Sequence, residues 1–394
     1  MESYNVPEIC KDVYWVGVKD WSRRLFDSLI PLPQGTTYNA YLIKGKEKTA
    51  LIDTVNPGFE GEFEGKLNII SSLEELDYVV MNHAEPDHAG AIPYILNRNK
   101  KALIVTTEKG ARIASLQYRA PTERIKTVKD GITIDLGSKT LQFIEAPCLH
   151  WPETMFTYLE EDKILFPCDF LGLHTAYGFY DDQVPEMIQY AQRYFGEIMM
   201  PYKAMGKRAL EKIKGIDIEM IAPSHGPIHR NPMRILEAYE KWTNGETLNK
   251  VIVAYATMWK STEKMIQQLV ASLEEEGVIT TVYNLETADI GDIAKDLVDS
   301  KGIVLGTPTV LGSMHPLAVY AAHLVKVLKP PAKYGVVLTS YGWGKGALSH
   351  ASEVLGPTGI EVVGAMEVNG PPNKDDYAEI RKIGKNLAQK ILQE

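Results

Sequence analysis

The chain has 394 residues, 45% hydrophobic and 24% charged, the balance of an ordinary globular protein with room for two domains. Its net charge of −9 argues against a generic nucleic-acid or anionic-membrane binder and leaves room for local basic patches. Three cysteines, Cys10, Cys148 and Cys168, make no disulfide framework; with no basic-then-apolar start and no apolar run long enough for a bilayer, a cytoplasmic, non-membrane protein is expected.

Short β-rich runs open the chain at Val13 to Val18, Thr37 to Ile43 and Thr49 to Asp53, with Gly45-Lys46-Glu47-Lys48 turning the last two into a hairpin. The next run, Asp77 to Asn82, leads straight into His83-Ala84-Glu85-Pro86-Asp87-His88. In an extended segment residues 83, 85 and 87 share one face, and Pro86 restricts its neighbours. Two imidazoles and two carboxylates in six residues at a strand end are metal-ligand chemistry, although a solvated polar turn has the same composition. Strand-like runs continue at Ala102 to Thr107, Ile132 to Leu136, Leu141 to Ala146, Met155 to Leu159 and Ile164 to Pro167. Helical segments follow at Pro185 to Met199, Lys203 to Lys214 and Pro232 to Thr243. A strand-rich body with helices outside predicts a layered αββα sandwich.

Three later segments place a ligand-type residue after a β-like run: His150 after Leu141 to Ala146, Asp169 after Ile164 to Cys168, and His225 after Glu219 to Ser224. With His83, Glu85, Asp87 and His88 they make seven donors, enough for two metal ions, and Asp169 stands in the middle of the order as a bridge. Cys148 and Cys168 read as small buried thiols rather than sulfur ligands. His229, His315, His323 and His350 lie outside the pattern.

After Asn244-Gly245-Glu246 the pattern changes to strands alternating with helices: Val251 to Ala256, Thr262 to Glu276, Val278 to Leu285, Ile290 to Ser300, Ile303 to Gly306, Pro316 to Leu328, Tyr334 to Ser340 and Ile360 to Met366, closed by a helix from Asp375 to Leu392. This is a five-stranded doubly wound parallel sheet, giving expected domains 1–248 and 249–394. Ligands of such sheets bind at the carboxyl ends of the strands. Thr257-Met258-Trp259-Lys260-Ser261-Thr262 opens a helix there, and its hydroxyls and free amides suit the phosphate monoester of FMN, or serve only as an N-cap. Thr307-Pro308-Thr309-Val310-Leu311-Gly312 and Ser340-Tyr341-Gly342-Trp343-Gly344 are loops on the same edge. Trp259, Tyr341 or Trp343 either stack on a flavin or pack the domain edge.

The first half resembles the metallo-β-lactamase fold, whose hydrolases carry His-x-His-x-Asp-His followed by His, Asp and His at later strand ends. Here Glu85 stands where that pattern has its second His, and a carboxylate-rich set favours iron over histidine-rich zinc. The same replacement resembles the flavodiiron proteins, and the second half resembles flavodoxin, although Val310-Leu311-Gly312 departs from the Asn residues common in that loop. The resemblance implies two irons, one held by His83, Glu85 and His150, the other by Asp87, His88 and His225, with Asp169 bridging, plus one FMN. It implies an oxygen and/or nitric oxide reductase served by a separate electron donor such as rubredoxin or a reduced deazaflavin. It further implies a head-to-tail homodimer or dimer of dimers, with Tyr194 and His174 flanking the substrate pocket. Many relatives have a His near position 27, where this chain has Asp27. The competing readings are a binuclear zinc hydrolase with a flavodoxin-like accessory domain, and an electron carrier without turnover.

Overall fold

Alternation along short strands dictates the architecture of the first half. Tyr41, Ile43, Ala50 and Ile52 face one way and Leu42 and Leu51 the other, and all are buried, so this sheet has to be covered on both faces. The structure, a computed structural model, describes residues 4–393. The sheet runs in the order Glu8–Cys10, Val13–Trp15, Tyr41–Lys44, Thr49–Ile52, Tyr78–Val80, Leu103–Thr106, Ile125–Thr127, antiparallel as far as Thr49–Ile52 and parallel beyond it. A second sheet has the order Thr133–Asp135, Thr140–Glu145, Met155–Leu159, Ile164–Phe166, Met220–Ile221, with only its last pair parallel.

Between the sheets Tyr41, Ile43, Ile52, Val80 and Val105 meet Leu141, Phe143, Met155, Leu159 and Phe166. Each such side chain contributes about 1.5–3 kcal/mol by leaving water. Leu42, Leu51, Val79 and Ile104 pack outward against Phe63, Leu67, Ile92, Ile95 and Ala114 of the helices Glu60–Ile70, Ile92–Arg98 and Glu108–Gln117. Beyond the second sheet Phe156 stacks on Phe170, and Phe170 meets Tyr239 of helix Pro232–Asn244 edge-on at 5.0 Å. The expected αββα layering is thus present.

The second sheet system is parallel, in the order Ile279–Asn284, Leu248–Tyr255, Ser300–Val310, Tyr334–Tyr341, Glu361–Asn369, which is the flavodoxin-like arrangement 2-1-3-4-5. Helices Ser261–Glu275 and Lys374–Leu392 cover one face through Met265, Leu269, Leu273, Ile380 and Leu387. Ile293, Leu297, Ala321, Val325 and Leu355, from three other helices, cover Ile252, Ala254, Ile303 and Leu305 on the other.

Contacts divide the chain into Met1–Tyr194 with Tyr202–Glu240, and Phe195–Pro201 with Lys241–Glu394. The division falls inside helix Pro232–Asn244, ahead of the 248/249 junction expected from the change of pattern, because Trp242 in its last turn packs 5.4 Å from the Phe195 ring. Three local expectations are corrected. The extended reading of residues 83–88 stops at Glu85, because Pro86 occupies the first position of a short helix, Pro86–Ala89, where its missing N–H and fixed φ suit a helix start. The expected helix 185–199 is α only over Met187–Tyr194 and widens to a π-turn at Phe195–Met199. There a Cβ on Gly196 would lie 2.3 Å from the Ala294 carbonyl oxygen. The strand expected at 303–306 runs on to Val310, since Thr309 and Val310 pair with Met314 and Ser313.

His229 provides a pH test of the first unit. It is fully buried, its Nε2–H donates to the Leu171 carbonyl at 2.9 Å, and burial brings its pKa down to about 4. The unfolded chain takes up this proton near pH 6.5 and the folded chain only near 4. Stability is therefore complete above pH 6.5 and falls as the pH drops toward 4, by at most about 3 kcal/mol from this residue. Urea titrations at pH 7 and 4.5 should show a smaller acid loss in His229→Gln than in the wild type; equal losses would exclude His229 as a source.

Candidate functional site

Parallel strands deliver their carboxyl ends to one edge, and the first unit uses this twice. In the first sheet Thr49–Ile52 and Tyr78–Val80 end at Asp53 and Asn82. Asp53 carboxylate oxygens accept from Asn82 N at 2.9 Å and Asn82 Nδ2 at 3.3 Å, fixing the start of the 83–88 segment. Thr54 N and Oγ1 both donate to the His88 carbonyl, at 2.6 and 2.8 Å, and tie down the far end of the short helix. In the second sheet Ile164–Phe166 and Met220–Ile221 run side by side and present Asp169 and His225 together.

The His225 loop is held by Asn39, which is buried. Its Nδ2 donates to the carbonyls of Pro223 (2.8 Å) and Gly226 (2.9 Å), and its Oδ1 accepts from Trp15 Nε1 at 2.9 Å. Gly226 has φ +80, and a Cβ would meet the Leu173 carbonyl oxygen at 2.5 Å, so the turn that follows His225 requires glycine.

The structure brings all seven expected donors together. His83, Glu85, His150 and Asp169 form one group able to hold a metal ion, and Asp87, His88 and His225 another; His88, Cys168 and Asp169 form a third, overlapping set. Asp169 divides its two oxygens between them. Oδ2 lies 3.5 Å from His83 Nε2 and 3.4 Å from His150 Nε2; Oδ1 lies 2.9 Å from His88 Nε2 and 3.4 Å from His225 Nε2. Glu85 Oε2 is 3.1 Å from both His83 Nε2 and His150 Nε2, and Asp87 Oδ2 is 3.1 Å from His225 Nε2.

Proximity here is only partly pairing: His83 Nε2 and Glu85 Oε2 meet hydrogen-bond geometry, but other atoms do not. Both oxygens of Asp87, both ring nitrogens of His88, Oδ1 of Asp169 and Nε2 of His174 are buried without a hydrogen bond of acceptable geometry. Folded proteins leave few such atoms, and donors of this type grouped this closely fit a metal ion. Burial opposes charge throughout, yet the groups sustain one another. Asp87 and Asp169 push His88 up to about 9, and Asp169 and Glu85 do the same for His150. The surrounding histidines, His88 first, hold Asp169 well below the usual carboxylate range.

His174 and Tyr194 reach the same place. The His174 ring is 4.6 Å from His225 and 4.8 Å from Tyr194, and its Nδ1 is 2.9 Å from Thr36 Oγ1. Burial, then His225, hold His174 well below 6.5, while burial, then Asp169, hold the Tyr194 phenol well above 10. Asp27 is pushed up first by partial burial and then by Glu85 and Asp87.

In the second unit a cleft of about 400 Å³ opens at the carboxyl ends of the strands, lined by Thr257, Met258, Trp259, Ser261, Pro308, Thr309, Ser340, Tyr341, Gly342 and Trp343, with Gly370 and Pro371. The last two escaped the sequence reading, which ended the final strand at Met366; the strand-end rule applied to Glu361–Asn369 would have found them. The N-cap alternative for the first loop does not hold. Lys260 occupies the cap position in a left-handed conformation without a side-chain cap bond, while Thr257 Oγ1 and Thr309 Oγ1 are buried with no hydrogen-bond partner. Thr257, just ahead of a long helix, and Thr309, in the strand Ser300–Val310 on the same cleft, are open donors that fit an anion such as a phosphate. Lys260, Thr262, Thr307, Val310, Leu311, Gly312 and Gly344 are not among the lining residues. Thr262 is buried on Ser340 Oγ at 2.9 Å, Thr307 Oγ1 accepts from His315 N, Val310 pairs with Ser313, and Leu311 points into solvent.

A metallo-β-lactamase-like αββα unit with a binuclear donor set, joined to a flavodoxin-like unit with an anion-ready cleft, defines the class. Residues 36–226 match the family described as "ODP family beta lactamase". The chain is 37% identical over 392 residues to a nitric oxide reductase of Moorella thermoacetica, covering 97% of this chain and 98% of that one. It superposes on rubredoxin oxygen:oxidoreductase from Desulfovibrio gigas with a TM-score of 0.95 at 28% identity, covering 98% of each chain. It superposes on the flavodiiron protein from Giardia intestinalis with a TM-score of 0.94 at 27% identity, covering 100% of this chain and 98% of that one. The chain belongs to the flavodiiron proteins and is an oxidoreductase. No helix among the described residues is long and apolar enough to cross a membrane.

Asn39 supplies the test of how the His225 loop is held. Asn39→Ala removes one side chain and leaves Trp15 Nε1 and the buried Gly226 carbonyl unpaired, while the Pro223 carbonyl keeps the Tyr41 hydroxyl at 2.8 Å, so unfolding in urea should show a loss of about 2–4 kcal/mol. Amide exchange over residues 222–229 should accelerate in the same variant; unchanged protection there would mean that other contacts hold the loop.

Proposed function

We propose that the chain reduces dioxygen to water, nitric oxide to nitrous oxide, or both, at two iron ions, with electrons entering through an FMN in the second unit. His83, Glu85 and His150 would hold one iron, Asp87, His88 and His225 the other, with Asp169 between them. The observation that carries this reading is the even division of four imidazoles between the two oxygens of one buried carboxylate. Glu85 supports iron over zinc, since it gives each half of the site a carboxylate of its own beside the shared one. Two ferrous ions and one reduced FMN together supply four electrons, enough for dioxygen, while coupling two molecules of nitric oxide takes two.

The protein's own groups hold, orient and keep protons. His174, neutral through burial, points an unbonded Nε2 into the site, and Tyr194 keeps its phenol proton at any ordinary pH, so it serves as a donor and not as a base. Thr257, Ser261 and Thr309 with the first amides of helix Ser261–Glu275 would take the FMN phosphate, and Tyr341 and Trp343 would flank the ring. A separate one-electron donor of the rubredoxin class, the partner named for the D. gigas protein, fits this scheme, as does a reduced deazaflavin. A head-to-tail dimer is proposed by family resemblance. The exposed Trp259 and Trp343 beside the cleft, and Trp21, Leu25 and Leu29 in the first unit, are apolar surface for such a contact. The zinc hydrolase reading is not favoured, because full-length likeness runs to reductases and oxidoreductases.

Purified protein made with iron available should contain about two irons and one FMN per chain; zinc as the sole tightly held metal would reject the iron assignment. Asp169→Asn should reduce metal content more than Thr257→Ala reduces FMN content, because one carboxylate serves both ions whereas several donors share the phosphate. The relatives divide between the two gases, and dioxygen is preferred here. Parallel consumption measurements after anaerobic reduction decide: fast nitric oxide turnover with negligible dioxygen uptake reverses that order, and Tyr194→Phe should slow the preferred reaction.

A further inference from the structure

The four histidines of the metal cluster differ in what stands behind them. His225 Nδ1–H donates to a neutral acceptor, the Thr37 carbonyl, at 2.6 Å, and His88 Nδ1 has no hydrogen-bond partner. His83 alone is backed by a carboxylate: its Nδ1–H donates to Glu153 Oε1 at 2.9 Å. Glu153 is 1% exposed. The same Oε1 accepts the Ala84 backbone N–H at 2.9 Å, while Thr107 Oγ1 donates to the Glu153 backbone carbonyl at 3.0 Å. Trp151, two residues earlier, meets the His83 ring edge-on at 5.2 Å. One oxygen therefore fixes both the ring of His83 and the backbone next to it, from the loop that also carries His150.

We infer that Glu153 is a positioning residue for one metal position only, the one formed by His83, Glu85 and His150. By taking the Nδ1 proton it fixes the tautomer in which His83 Nε2 is the free donor, and Nε2 is the atom that faces Glu85 and Asp169. A buried carboxylate behind the ring also raises its donor strength. The position formed by Asp87, His88 and His225 has no such support, so the two metals are held unequally. This rests on the binuclear iron reading above.

The test is Glu153→Gln, which keeps the volume and removes the charge. In the iron-loaded holoprotein the variant should release one of its two irons to a ferrous chelator about 10- to 100-fold faster than the wild type, the usual effect of losing an outer partner of a ligand histidine. The other iron should leave at the wild-type rate, with FMN content unchanged. Mössbauer spectra of protein loaded with iron-57 should show one of two ferrous environments depleted. Glu153→Asp, which keeps the charge on a shorter arm, should fall between wild type and Gln. Unchanged release of both irons, or equal acceleration of both, overturns the inference. If neither variant folds, nitrogen-15 histidine NMR of the zinc-loaded wild type decides. One metal-bound ring should then show an Nδ1–H more deshielded than its carbonyl-bonded counterpart, and its absence overturns the inference. A wild type that binds no iron refutes the underlying metal reading instead.

Discussion

The carboxylate of Asp169 is the point on which the first unit turns. It is buried among four imidazoles, with each oxygen between two of them. An isolated charge there would be expelled or neutralised by the cost of leaving water, so its place depends on the ring nitrogens arrayed around it. Those partners come from three separate stretches of chain, and two of these carry restraints of their own: the Asp53 and Thr54 clamps for the 83–88 segment, with Glu153 on the ring of His83, and Asn39 for His225. The restraining groups make the hydrogen bonds that hold these segments, whereas both oxygens of Asp87 and both ring nitrogens of His88 at the centre have none. That inversion of the usual pattern marks the place as built for something other than protein.

The second unit repeats the principle with weaker means. Its cleft has no charged side chain among the residues that line it, and relies on amides at a helix start and on hydroxyls left unbonded at Thr257 and Thr309. Many small donors sharing one anion tolerate the loss of any single member, whereas a carboxylate placed between two groups of donors does not.

What could be read from the residues follows from how local the governing physics is. His83, His150, Asp169 and His225 each stand just beyond an apolar run, so a strand-end rule was enough to gather them, and the layered architecture followed from the spacing of the same runs. Local rules failed where backbone geometry changed within a motif. Pro86 reads as a restriction on an extended segment but serves as the first residue of a helix. Val310 reads as loop until its cross-strand partner Ser313 is known. Asn39 and Glu153 gave no signal, because their partners lie 184 and 70 residues away and neither belongs to a spacing pattern.

The π-turn Phe195–Met199 bears on where the second unit begins and ends. It lies in sequence within the first unit, yet it packs with the second, where Gly196 sits too close to the Ala294 carbonyl for any side chain to fit. A gene encoding only the final stretch of the chain would lack this turn and leave the surface around Ala294 uncovered. The second unit is therefore discontinuous in sequence, and a cut anywhere between residues 201 and 241 would separate it from part of its own packing.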